Sequence, residues 1–430
     1  MKSISVETHR VCLNKCLSYF RFSGIWISDS STPLRKLISL FCRLLSFFVL
    51  ISYILTSMAD LVVNCNDLVV IVDDSCFIAG AGSAFFKICT VIFKYQKFEK
   101  LISDIHDPVD VLRQSNDKGV MKIIKRCAFF ETLDYYLWSN ATFVLGFATI
   151  FLVTSQKGEL PSRAIFPFDI TRPSMYAVAL SIQIYTVIYG LISLMAIEIT
   201  MWGLLRWTTV QIQVLSCNYK NCDRNLSRRP RVSSQSQFDD IQKFNLSEID
   251  DEEMEIKNFL LFENDKNNRQ VDINCFQWRL RYCIKHHQRI VEIVNHLNDT
   301  LSTCLMVQLA VSTMIFCLNG FLAVTFPHDK KRLMRSIFFL LVGFIQIFYW
   351  CRFGNELKFQ ADYLTTSQWM SGWESNFNRN LKNYLTTAMI RTMKPVEIRA
   401  GGLFILSMET FISILKNSYS VFVLLTTVDE

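Results

Sequence analysis

Charge is scarce in this chain. Only 19% of its 430 residues are Asp, Glu, Lys or Arg, below the roughly 25% of an ordinary soluble domain. Eight prolines and fourteen glycines exclude a collagen-like repeat, and the apolar content excludes a chain that is disordered throughout. Several catalytic patterns are also missing. There is no Gly-x-Ser-x-Gly, no Walker A loop and no His pair at i and i+4 beside a carboxylate, so hydrolase, nucleotide-binding and zinc chemistry lose their usual signatures. Asp73-Asp74 and Asp239-Asp240 are adjacent pairs whose carboxylates diverge on a helix, and the first pair is expected to be wetted at the outer end of a span. No enzyme and no metal or other cofactor is expected. What remains is 51% hydrophobic and 13% aromatic, with a mean hydropathy of +0.24. These residues come in long blocks, the pattern of a polytopic membrane protein.

Seven blocks approach the ~20 apolar residues that a bilayer helix needs. They cover about 37–58, 68–93, 135–153, 175–205, 301–326, 336–351 and 400–427. The basic first 36 residues hold no signal-peptide core. Lys and Arg set the orientation: 35 of them fall in the segments before the first span and after every second one, and 7 on the other side. The N-terminus is therefore expected in the cytosol and the C-terminus outside, the reverse of a G-protein-coupled receptor. The net charge of +7 is then a topology signal, and no nucleic-acid surface is implied.

This gives an all-α membrane protein with seven transmembrane helices, in five parts. Residues 1–36 form a cytosolic segment, and 37–215 carry spans one to four with a ligand pocket. Residues 216–275 form a polar, Ser-rich and acidic cytosolic loop, expected to be largely disordered. Residues 276–398 hold spans five and six with cytosolic anchor helices, and 399–430 the last span and tail. Within the fourth part, Ile284, Val291, Val294 and Leu301 fall at heptad spacing, predicting a helix that carries the fifth span into the cytosol. A second cytosolic helix is predicted over 378–391, ending before Pro395. The fourteen cysteines lie mostly in spans or on the basic side, so free thiols are expected. Lys416 is read as the costliest intramembrane charge.

Several local sequences carry a resemblance: Arg21-x-x-Gly24-x-Trp26, Phe166-Pro167-Phe168-Asp169, Gly354-Asn355-Glu356-Leu357 with Trp373 after it, Lys394-Pro395, Ala400-Gly401-Gly402 and Ser418-Tyr419-Ser420. Their order and spacing, with the inverted topology, resemble the insect odorant receptor family. The resemblance implies an odorant-gated nonselective cation channel in the plasma membrane of olfactory neuron dendrites. It implies a heterotetramer with a co-receptor subunit and a pocket among spans two, three, four and six. The terminal Thr-Tyr and following Gln of the co-receptor and gustatory relatives are replaced here by Ser418-Tyr419 and an apolar end. That departure favours a tuning subunit over a homomeric gustatory-type channel, the alternative reading. Candidate ligand contacts for a small volatile odorant are Phe77, Phe143, Phe147, Phe151, Tyr176, Tyr185, Tyr189, Phe338 and Phe339. Candidate pore-lining residues, from one stripe of the last helix at ~100° per residue, are Phe411, Leu415, Ser418, Phe422, Leu425 and Thr426, with the gate near Phe422.

Overall fold

In lipid, a backbone can satisfy its N–H and C=O groups only within itself, so apolar blocks of this length must be helical. The computed structural model describes residues 10–27, 32–66, 68–113, 117–151, 160–223, 258–259, 275–325, 330–376 and 379–429. Its helices are α1 (Val11–Phe22), α2 (Pro33–Val63), α3 (Leu68–Phe93), α4 (Tyr95–Leu112), α5 (Lys118–Phe151) and α6 (Pro173–Lys220). They continue with α7 (Phe276–Thr325), α8 (Lys330–Trp369), α9 (Arg379–Thr392) and α10 (Met408–Asp429). A two-residue hairpin, β1 (Arg399–Ala400) with β2 (Phe404–Ile405), precedes α10. Five helices (α2, α3, α6, α7 and α8) are long and apolar enough to cross a membrane, and the chain is an all-α multi-pass membrane protein.

Three helices far exceed a bilayer. At ~1.5 Å per residue, the 48, 50 and 40 residues of α6, α7 and α8 run roughly 72, 75 and 60 Å against a hydrocarbon core of ~30 Å. Their excess lies on the basic side and packs into a bundle with α4 and α9. The core of this bundle includes Leu280, Cys283, Ile290 and Leu297 of α7 and Tyr219 of α6. The predicted helical continuation before the fifth span is present in α7, and the helix predicted over 378–391 is present as α9, one residue from its expected limits.

Two elements escaped the hydropathy reading. Residues 11–22 form α1, whose Cys12, Leu13, Cys16 and Phe20 are buried. Residues 95–112, read as loop, form α4, with Phe98, Leu101, Ile105, Val109 and Leu112 buried at helical spacing. Both are amphipathic rather than uniformly apolar, so a search for 20-residue apolar blocks passes over them. The polar loop expected from residue 216 is also corrected at its start: α6 continues to Lys220. Asn258 and Phe259 within it are buried, and the Asn218 side-chain amide donates to the Asn258 carbonyl at 2.7 Å. Residues 224–257 and 260–274 of that loop lie outside the described residues.

The last span was placed from residue 400, but 399–405 is the hairpin and α10 begins at Met408. Gly401 and Gly402 have φ of +60° and +73°, which a side chain would resist. They donate to the Ser302 carbonyl (2.9 Å) and hydroxyl (3.1 Å) of α7. Gly354 serves another purpose: a Cβ there would lie 2.4 Å from the Leu406 carbonyl oxygen. Only glycine lets the chain leaving the hairpin press against α8.

Candidate ligand cavity and last helix

Between α2, α3, α5, α6, α7 and α8 lies a cavity of about 150 Å³. Its wall is largely apolar, with Leu50, Phe77, Leu145, Leu194, Ile315 and Phe339 among its residues. The rings of Phe77 and Phe339 meet edge to face at 5.8 Å. Polar groups are few. Two of them, Trp138 Nε1 and Thr186 Oγ1, are buried and have no hydrogen-bond partner among the described residues. Tyr53 lines the cavity too and donates to Ser162 at 3.0 Å. Ser162 is held in turn by Gln183 of α6 (3.0 and 2.9 Å).

At one end of the cavity sits a polar cluster built around a fully buried ion pair. Lys87 of α3 pairs with Glu198 of α6 and donates to Gln308 of α7. Gln346 and Trp350 of α8 donate to the same carboxylate at 2.9 and 2.6 Å. Gln308 also donates to Gln346 (2.8 Å) and Ser312 (2.7 Å). Lys87 and Glu198 have side-chain exposures of 1% and 0%, so Lys87 is a second intramembrane cation, buried and answered by a counter-charge, while Lys416 is exposed on α10. The counter-charge of Lys87 lies 111 residues away and on another helix, where no local motif announces it. Gln308 and Gln346 also line the cavity, so the ligand space and the ion pair share a wall. Asp73 and Asp74 are corrected likewise: Asp74 is buried and Asp73 pairs with Arg335.

Of the aromatic residues singled out from sequence, Phe77 and Phe339 line the cavity. Phe143 (74% exposed) and Phe147 (53%) lie on the outer face of α5, where lipid would meet them. Their helix presents Trp138, Thr142, Leu145 and Thr149 inward instead. Tyr185 stacks on Tyr189 at 5.7 Å and shares a hydrogen bond with Ser46 of α2 at 2.8 Å. Tyr176, Tyr185, Tyr189 and Phe338 stand apart from the cavity lining, and the Phe151 side chain lies outside the described residues. An i, i+4, i+8 aromatic row marks one face of a helix without saying whether core or lipid covers it. Trp138 and Thr186 were missed because single polar residues inside spans carry no such pattern.

A family model described as the 7tm odorant receptor matches residues 67–419. The chain belongs to the insect odorant receptor family. Odorant receptor 94a of Drosophila melanogaster is 28% identical over 157 residues, which are 36% of this chain and 40% of that relative. Odorant receptor 83a of the same species is 22% identical over 63% of this chain and 61% of its own length. The olfactory receptor OR5 of Machilis hrabei, solved in complex with eugenol, superposes with a TM-score of 0.77 at 14% identity, covering 98% of this chain and 99% of that one. At that identity the likeness is one of fold.

In this odorant receptor, Phe411 of α10 is buried against Phe344 (5.2 Å) and Phe348 (5.8 Å) of α8. Ser418 is buried too, and its carbonyl accepts from the Cys317 thiol of α7 at 3.6 Å. Leu415 packs against the same cluster. These three stripe residues therefore face their own subunit. Among the described side chains of α10, Glu409, Ile412, Ser413, Lys416, Asn417, Tyr419, Ser420 and Val423 are exposed. The side chains of Phe422, Leu425 and Thr426 lie outside the described residues.

Proposed function

We propose that this chain is an odorant-tuning subunit of a ligand-gated nonselective cation channel, assembled with a co-receptor into a heterotetramer in the plasma membrane of olfactory neuron dendrites. Seven helices cross the bilayer in this reading: α2, α3, α5, α6, α7, α8 and α10, with the N-terminus in the cytosol. The observation that carries it is the largely apolar cavity with two buried polar atoms that have no partner among the described residues. A buried donor without a partner costs about 1–3 kcal/mol, and a guest that accepts from it recovers that cost. The ligand class follows. It is a compact, mainly apolar volatile with one acceptor oxygen, such as an ester, ketone or short alcohol. A cavity of ~150 Å³ takes a guest of about benzene size.

Two stripes divide the exposed face of α10. Ser413, Asn417 and Ser420 are polar at i, i+4 and i+7, and Ile412, Tyr419 and Val423 form a second, mainly apolar row that also carries Lys416. In the tetramer the polar row faces the water-filled pathway and the apolar row a neighbouring subunit or lipid. The buried Phe411 and Ser418 then support the pore helix from behind. The test is electrophysiological. Cells expressing the chain with a co-receptor should give currents to a panel of small esters and ketones. Isosteric alkanes should fail, and so should either subunit without the other. Strong odorant currents from this chain alone would favour the homomeric alternative.

A further inference from the structure

A second, larger cavity of about 290 Å³ opens where α5, α6 and α8 leave the membrane on the basic side. Its wall carries three guanidiniums, Arg126 of α5, Arg206 of α6 and Arg352 of α8, with Thr209, Gln213 and Glu356 beside them. We propose that this cavity binds the phosphate headgroup of an anionic phospholipid of the inner leaflet.

Arg206 pairs with Asp134 through Nη2, and Asp134 is occupied on its other oxygen by the Tyr349 hydroxyl at 3.0 Å. The guanidinium lies 4.9 Å over the Phe353 ring, which fixes its plane. Its Nη1 is buried and has no partner among the described residues, so one donor of a preset fork is left over. Arg126, whose guanidinium lies 5.9 Å from the Phe130 ring, and Arg352 are exposed on walls formed by two other helices. Three carboxylates stand near the three guanidiniums, those of Asp134, Glu356 and Glu131, the last accepting from Trp207 at 2.9 Å, so what sets the pocket apart is its surplus of N–H donors. That donor set suits phosphate oxygens, which guanidinium binds by paired hydrogen bonds.

Position selects a lipid as the source of the phosphate. Arg206 and Arg352 are the first residues beyond the apolar blocks 175–205 and 336–351, which puts them at headgroup depth. From the mouth of the cavity, Phe129, Leu133 and Leu137 run up the outer face of α5 at i, i+4 and i+8, each exposed, as a track for acyl chains. Basic pockets between spans on the cytosolic side are the usual setting for anionic headgroups.

The experiment uses the full chain, reconstituted with its co-receptor in bilayer discs of phosphatidylcholine doped with photoactivatable phosphatidylinositol or photoactivatable phosphatidylcholine. Crosslinks are mapped by peptide mass spectrometry. The inositol lipid should label peptides from 123–130, 206–213 and 352–360 in strong preference to the choline lipid. Arg126→Gln with Arg352→Gln, both at exposed positions, should cut that labelling by roughly tenfold or more, at ~1 kcal/mol per removed basic residue. Labelling at the lipid-facing Phe143 and Phe147 should not change. Glu356→Gln should raise the labelling. Equal labelling by both lipids, or labelling indifferent to the double substitution, overturns the proposal. Loss of labelling in excess inorganic phosphate would assign the site to a soluble phosphate and overturn its lipid source.

Discussion

At the scale of single residues, the free energy of this fold is most exposed at the Lys87–Glu198 pair. Both groups are stripped of solvent, and each is satisfied only because the other helices converge on it. Removing one partner strands a charge, at about 3–5 kcal/mol, whereas removing both can be nearly neutral. Lys87→Met should therefore abolish surface delivery, and Lys87→Met with Glu198→Gln should restore much of it. Surface biotinylation of the two variants checks this; a double variant as poor as the single one would show that the pair does not act as a unit. The cavity atoms differ, because they are unpaired before any ligand arrives. Trp138→Phe and Thr186→Val should leave assembly intact while raising the half-maximal concentration for oxygenated odorants about tenfold, from the loss of one hydrogen bond of ~1–1.5 kcal/mol. Dose–response curves for an oxygenated odorant and its alkane analogue separate that effect from a general loss of fit. Two histidines of α7 add a pH dependence in the bundle with α4 and α9. Burial and the neighbouring His287 hold His286 down to about 3, and burial with Arg391 nearby holds His287 down to about 4. Both stay neutral when folded and become protonated on unfolding below ~6.5. The unfolded chain thus binds more protons, so stability is full above that pH and falls as pH drops toward 4. Melting temperatures of the purified protein should decline across that window, and less steeply for His286→Leu.

At the scale of elements, the last helix sets a clear contrast. Cysteines placed at 413, 417 and 420 of α10 should react with a water-soluble thiol reagent from the pathway and block current, whereas those at 411 and 418 should stay silent. Reaction at 411, 418 and 422 instead would return the pore to the opposite stripe. The sequence alone offered that stripe as one face of a helix. It could not say which side the face turns to, because Phe and Leu serve equally as core, lipid contact and gate. The same ambiguity separated Phe77 and Phe339, which line the cavity, from Phe143 and Phe147, which do not. Long apolar blocks were legible because lipid forces them to be helical. Helices α1 and α4 were not, since their apolar residues occupy one face and dilute any hydropathy window. The glycine motifs were legible as family marks, but their reason is tertiary. Gly354 matters because of Leu406, and Gly401 because of Ser302 and Met306, contacts that no local pattern encodes.

At the scale of the whole molecule, the distribution of basic residues fixes a testable orientation. Three acceptor sequons, at Asn225, Asn245 and Asn298, fall on the side rich in Lys and Arg, so the proposed topology leaves all three in the cytosol and free of glycan. The third is doubly protected. The Asn298 amide donates to the Glu397 carbonyl at 2.8 Å, and its oxygen accepts from the Arg399 N–H at 2.9 Å. That side chain pins the strand entering the hairpin to α7, and through the hairpin it positions α10. Asn298→Gln should therefore leave electrophoretic mobility unchanged while weakening the link between the α7 bundle and α10, the helix proposed to line the pore. The expected sign is a reduced maximal odorant current at normal surface level. Treatment with a deglycosidase that shifts the wild-type band, with the shift lost in Asn245→Gln, would reverse the orientation of every helix. It would also place the three arginines of the second cavity in the outer leaflet, so this one gel tests the frame in which both the channel and the lipid site are set.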